Sequence, residues 1–159
     1  MKPIFFIITL IFVVLFGSMV FAQSKKEQEL ELPNTNQLNN QYRIIRVIDG
    51  DTLKIYAPFL PDPLPKILGL RIHHIDTPEK GSRAKCSQEN ILSAKATRFV
   101  KILLSNAKDV QVELHKWGKY GGRVIGDVKV DGVYLSNILV DNGYAVWYDG
   151  GTKTKDWCK

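Results

Sequence analysis

Strand-like and helical patterns follow one another along this chain in an order that few small folds accommodate. Three short extended runs come first, then one long helical run, then two more extended runs. Tyr42 to Ile48 is rich in β-branched and apolar residues and is punctuated by Asp49-Gly50. Thr52 to Ala57 alternates, with Leu53 and Ile55 on one face, so the two runs predict a hairpin. Pro58 to Pro65 holds four prolines and is excluded from any central strand. Ile67 to Ile75 predicts a third strand that ends at the Asp76-Thr77-Pro78 turn. The segment 79–86 is polar and reads as loop. Ser87 suits a helix N-cap, with Glu89 in the first turn, and Leu92, Ala96, Phe99 and Leu103 recur at helical spacing up to Ser105. Val110–Leu114 and Arg123–Val130 predict two further strands, and Asp131-Gly132 a turn. Leu135–Asn142 predicts a short helix closed by Gly143, and Tyr144–Tyr148 a last extended segment. Three strands, a helix and two strands fit a mainly β domain with helices, a five-stranded barrel of the OB type.

The domain does not use the whole chain of 159 residues. Residues 1–22 form an apolar run with one lysine and no acid, ending Val20-Phe21-Ala22, which reads as a signal peptide with a small-residue cleavage site. An uncleaved anchor is the other reading of that run. Residues 23–40 are polar without apolar periodicity and read as a tether. The domain is therefore expected over 41–159. The formal charge is +6; leader and tether cancel, so the domain keeps all of it, a balance consistent with a polyanionic partner. Two cysteines, Cys86 and Cys158, would meet oxidising conditions after export, and a bridge between them is expected, two unrelated thiols being the alternative. Neither belongs to a CxxC pair, which argues against a zinc or redox site.

Three runs carry chemistry: Asp49-Gly50-Asp51-Thr52, Asp76-Thr77-Pro78-Glu79 and Lys119-Tyr120-Gly121-Gly122-Arg123, joined by Arg71. Carboxylates hold a hard divalent cation through oxygen alone. Arginines hold phosphate through a bidentate fork. Asp51 and Asp76 stand at the ends of different strands, where a small barrel can bring them together. Each run by itself also reads as a turn or a solvated surface, and only their joint presence favours a site. Adjacent His73 and His74 would point to opposite faces of a strand, so they and His115 read as packing or surface residues. Tyr120, Trp117, Tyr144, Trp147 and Tyr148 could stack on bases or simply fill core.

The ordered set D-G-D-T, R-x4-D-T-P-E and K-Y-G-G-R resembles the staphylococcal nuclease (thermonuclease) family over about residues 42–148. That resemblance implies an OB-type barrel, a bound Ca²⁺, and endonucleolytic hydrolysis of DNA and RNA with little sequence preference, leaving 3′-phosphate ends. It implies Asp51, Asp76 and the Thr77 carbonyl as metal ligands, with Asp49 in support. It further implies Glu79 as the group that holds or deprotonates water, Arg71 and Arg123 as phosphate-binding catalytic residues, and Lys119 and Tyr120 as contacts to a neighbouring phosphate. The chain departs from the commoner K-Y-G-R form by one extra glycine, from the usual length by its proline-rich loop, and ends shortly after Asp156-Trp157-Cys158. The expected product is secreted or periplasmic, monomeric, and free of membrane once its leader is cut. A non-catalytic OB barrel that grips single-stranded nucleic acid is the alternative function, and a tethered partner-binding domain a second rival.

Overall fold

The computed structural model describes residues 42–159. The expected leader and tether lie outside those residues. Strands β1 (Ile44–Val47), β2 (Thr52–Tyr56) and β3 (Ile67–Ile72) are followed by a two-residue β4 (Ile75–Asp76) and a short 3-10 turn (Gly81–Arg83). Helix α1 (Ser87–Asn106) leads to β5 (Val110–Trp117), β6 (Arg123–Val130) and β7 (Val133–Tyr134). Helix α2 (Leu135–Asp141) and β8 (Val146–Trp147) close the series. The main sheet runs β1-β2-β3-β6-β5, with β7 beside β6, and β4 pairs separately with β8. β3 is antiparallel to β2 and parallel to β6. This is a strongly curled half-barrel sheet with two helices, and it agrees with the OB-type expectation.

The alternation in the sequence explains the layering. Leu53 and Ile55 of β2, Leu68, Leu70 and Ile72 of β3, and Val124, Val128 and Val130 of β6 are buried. Helix α1 faces this interior with Glu89, Ser93, Ala96 and Val100. The expected stripe of Leu92, Phe99 and Leu103 flanks that face half-buried. The N-cap is Cys86 rather than Ser87: its Sγ accepts the Glu89 N–H, while Ser87 begins the helix. β5 extends to Trp117, three residues past the expected end, because it stays paired with β6 up to Val124.

The third strand departs most from expectation. It was expected to run unbroken to Ile75, but it stops at Ile72. His74 takes a positive φ of 58°, a turn conformation that no extended ladder accommodates. The chain then resumes as β4, which pairs with β8. The turn frees Asp76 from the period-two alternation of β3.

The chain end is secured by a Cys86–Cys158 disulfide with Cα atoms 6.0 Å apart, as expected from the two cysteines. It holds the buried Trp157 against the domain. Replacing both cysteines by serine should lower unfolding free energy by about 2–4 kcal/mol, the range for closing a long loop. Equilibrium denaturation in urea would read this, and an unchanged midpoint would show that the tail adds nothing to the fold.

A candidate metal and phosphate cleft

The Asp49-Gly50-Asp51-Thr52 run is the turn between β1 and β2. Ile48 and Asp49 N–H groups both donate to the Thr52 carbonyl. Gly50 fits a close approach: a Cβ there would stand 3.0 Å from Thr77 Cγ2 and 3.1 Å from Ala96 Cβ, so both would have to give way. The turn is thereby pressed between α1 and the Asp76-Thr77 segment. Three carboxylates are buried in consequence, Asp49, Asp51 and Asp76, at 8%, 3% and 2% exposure. Buried carboxylates this close together are costly unless cations oppose them.

Arg71 is the first of those cations. Thr52 lies opposite Arg71 in the β2–β3 register, so the neighbouring Asp51 is within reach, and Arg71 Nη1 donates to Asp51 Oδ1 at 2.7 Å. Its Nη2 is 4.0 Å from Asp76 Oδ1. Thr77 Oγ1 donates to Asp51 Oδ2 at 3.0 Å, and Thr52 Oγ1 to Asp51 Oδ1 at 2.9 Å. Among the described residues, two buried carboxylate oxygens lack a well-angled hydrogen-bond donor, Asp49 Oδ1 and Asp76 Oδ1. Lys153 Nζ lies 2.6 Å from Asp76 Oδ1, an ion pair by distance. An all-oxygen donor set in which Asp49 Oδ1 has no such donor and Asp76 Oδ1 meets the Lys153 ammonium by distance alone fits a hard divalent cation such as Ca²⁺.

Glu79 follows on the same turn. Lys153 Nζ donates to its Oε1 at 2.8 Å and Arg83 Nε lies 3.2 Å from its Oε2. Burial pushes the Glu79 carboxyl up, but Lys153, Arg83 and Arg71 outweigh it, and the net shift is downward. Lys153 is the reverse case: burial lowers it, yet Asp76 and Glu79 hold it above its ordinary value. Lys153 therefore bridges two of the expected site residues from the far end of the chain.

The third run forms the opposite wall. Arg123 opens β6 and pairs with Gly69 of β3. The extra glycine is absorbed in the turn: Gly122 has φ 70°, and its carbonyl accepts the Gly69 N–H at 2.9 Å. Arg123 stays on the cleft side, its guanidinium 4.7 Å from the Tyr120 ring centre. Tyr120 itself is exposed. Arg71, Asp51, Thr77, Glu79, Lys119, Tyr120 and Arg123 all line one cleft of about 700 Å³, with Asp76 reached through Arg71 and Lys153. The sequence reading missed four residues that organise it. Lys153 and Arg83 are cations with no motif around them. Glu89 was read only as a first-turn acid, yet it is buried and accepts the N–H groups of Glu79 and Lys85. Trp157 Nε1 reaches Asp76 Oδ2 at 3.4 Å. Of the five aromatic candidates, Tyr120, Tyr148 and Trp117 line the cleft, whereas Tyr144 stacks on Phe99 at 4.6 Å and Trp147 is exposed on β8.

A curled half-barrel sheet with two helices, whose strand ends gather acids and arginines in one cleft, defines a class of small OB-like β domain. The model of the family described as staphylococcal nuclease homologue matches residues 69–157, more than half of the chain, and the chain belongs to that family. The comparison with curated proteins found no match. The matched span begins within β3, so Asp51 joins the site through its geometry with Arg71 rather than through that match.

The buried acids make a pH prediction. The Asp51 carboxyl is pushed from an ordinary 3.8 up to about 6. Burial is the largest cause; Arg71 opposes it, the Asp49 charge adds to it, and the Thr52 and Thr77 hydrogen bonds oppose it. A carboxyl raised on folding holds its proton more tightly in the folded state. Its contribution to stability is complete below the unfolded value and is lost as pH rises through about 6. In EDTA, the melting temperature of Asp51→Asn relative to wild type should therefore rise as pH goes from about 4 to about 7. A difference that stays flat across that window would mean Asp51 is not the group being titrated.

Proposed function

We propose that this protein is an exported, Ca²⁺-dependent endonuclease that hydrolyses phosphodiester bonds of DNA and RNA with little base preference. The observation that carries the reading is the gathering of buried acids, Glu79 and two arginines in one cleft, in a chain of the nuclease family. A pure binding module has no need of a carboxylate cluster that repels nucleic acid. The paired cysteines are consistent with export into an oxidising compartment.

Asp51, Asp76 and the Thr77 carbonyl would hold the ion, with Asp49 behind them. The bound ion would supply charge stabilisation to a phosphoryl oxygen. Glu79, kept ionised at neutral pH by Lys153 and Arg83, accepts a proton from the attacking water. Arg71 and Arg123 face the cleft from adjacent parallel strands and neutralise charge that builds on the equatorial oxygens of the phosphorus. The water oxygen bonds to phosphorus as the bond from phosphorus to O5′ breaks; O5′ takes a proton from solvent and leaves as a 5′-hydroxyl, and the other fragment keeps a 3′-phosphate. Lys119 and exposed Tyr120 are positioned on the lip to take a neighbouring phosphate.

Plasmid digestion with Ca²⁺, with and without EDTA, tests the reading, and the ends of the products test the bond cleaved. Glu79→Ala and Arg123→Ala should each lose at least about 10²-fold in kcat/KM, the usual worth of a positioned base or charge donor, while melting like the parent. Absence of cleavage with any divalent ion, together with retained binding of single-stranded DNA, would replace this reading by the non-catalytic OB module. Lys153→Ala should tighten Ca²⁺ binding severalfold, because the ammonium competes for Asp76 Oδ1. Weaker binding in that variant would make Lys153 a support of the site instead of a competitor.

A further inference from the structure

A second cluster lies on the outer face of the sheet that also carries Arg71 and Arg123, farther along it than the acidic cleft. His73 follows β3, Asp127 is on β6 and His115 is on β5. One ligating atom from each lies within 4.8 Å of the others. His115 Nε2 is 3.4 Å from Asp127 Oδ2, and the His73 and His115 rings meet edge to face at 5.3 Å.

The backbone is specifically arranged to bring them together. Leu114 pairs with Gly126 and Lys116 with Ile125, so His115 is the extra residue of a β-bulge. Bulges turn a side chain away from the regular alternation. Gly126 makes the bulge possible, since a Cβ there would collide with the Glu113 carbonyl oxygen. His73 donates its N–H to the Gly126 carbonyl at 2.9 Å, which sets it beside Asp127. The positive-φ turn at His74 then carries the chain away, leaving the His73 ring against the sheet. Asp127 follows Arg123 and Ile125 on the outward alternation of β6, about 13 Å along the strand from Arg123 at ~3.3 Å per residue. The sequence reading set these histidines aside because His73 and His74 cannot chelate as neighbours on a strand. The positive φ at His74 overturns the expected opposite facing, since the His73 and His74 rings lie 3.6 Å apart; the histidine whose ligating atom gathers with those of His73 and Asp127 is His115, two strands away.

We propose that His73, His115 and Asp127 form a second metal site, one for a borderline divalent ion of the d-block such as Zn²⁺, with solvent completing the coordination. Two imidazoles and one carboxylate suit such ions and not Ca²⁺, which takes oxygen. Ligand distances near 2.0–2.2 Å require His73 to close on the His115–Asp127 pair, whose atoms already stand 3.4 Å apart. Burial, then the adjacent His74 charge, holds His73 below its ordinary pKa, which favours the neutral imidazole that ligates. Such an ion would pin β3, β6 and β5 together from outside, and two of these strands carry Arg71 and Arg123.

The test is calorimetric titration of Zn²⁺ into the purified, metal-stripped full chain and its variants. Wild type and Asp51→Asn should bind one Zn²⁺ with equal affinity, and His115→Ala and Asp127→Asn should each lose at least tenfold. Zn²⁺ should raise the melting temperature of wild type but not of His115→Ala. Cleavage supported by Ca²⁺ should be unchanged in His115→Ala. If that variant does not fold, the near-isosteric Asp127→Asn gives the same reading. Zn²⁺ binding that is indifferent to both outer-wall variants, or lost only with Asp51→Asn, would overturn the proposal and leave His115–Asp127 as an ion pair.

Discussion

β3 is hydrogen-bonded along both edges, antiparallel to β2 and parallel to β6, and the cleft depends on that double pairing. The antiparallel side places Arg71 opposite Thr52, so its guanidinium meets Asp51. The parallel side places Arg123 opposite Gly69 and Ile125 opposite Arg71. Gly69 leaves the space that the Arg123 side chain enters: a Cβ there would already be 3.4 Å from Arg123 Cγ. Two arginines reach one cleft because a single strand sets the register of both walls. A one-residue slip would turn the Arg71 side chain to the opposite face.

Charge burial is the complementary constraint. Asp49, Asp51 and Asp76 are sequestered at the barrel mouth, and their repulsion is offset by Arg71, Arg83 and Lys153. These cations come from a strand, a 3-10 turn and the C-terminal tail. The disulfide that fixes the tail thus bears on the electrostatics of the cleft, since the tail carries Lys153 to Asp76 and Glu79 and Trp157 to Asp76. A stretch that reads as a bare chain end contributes a charge and an indole to the most polar part of the interior.

Local patterning was legible wherever neighbours in sequence are also neighbours in the ladder. The β1–β2 hairpin, α1, the β5–β6 hairpin and the Asp131-Gly132 turn follow from alternation, helical spacing and turn residues. The break in β3 was not legible: His73-His74 carries no glycine or proline, and the positive φ at His74 reflects the separate pairing of Ile75 and Asp76 with β8. Nor was the second role of Glu89, since a first-turn acid looks the same whether it faces solvent or accepts two loop amides. Motif runs marked Asp51, Asp76, Glu79 and Arg123 as candidates because acids and arginines cluster there; nothing comparable marks Lys153.

The sequence by itself determined the strand and helix order, the acids and arginines available for a cation and a phosphate, and two cysteines suited to a bridge. These are properties of short runs, where backbone preference and residue type act locally. Only the tertiary structure decided that Arg71 reaches Asp51, that the doubled glycine still leaves Arg123 in the cleft, that Lys153 joins Asp76 to Glu79, and that His73 finds His115 across a bulge. Those are contacts between residues far apart in the chain. They are set by inter-strand register and by close approach at Gly50, Gly69 and Gly126, which no local pattern encodes.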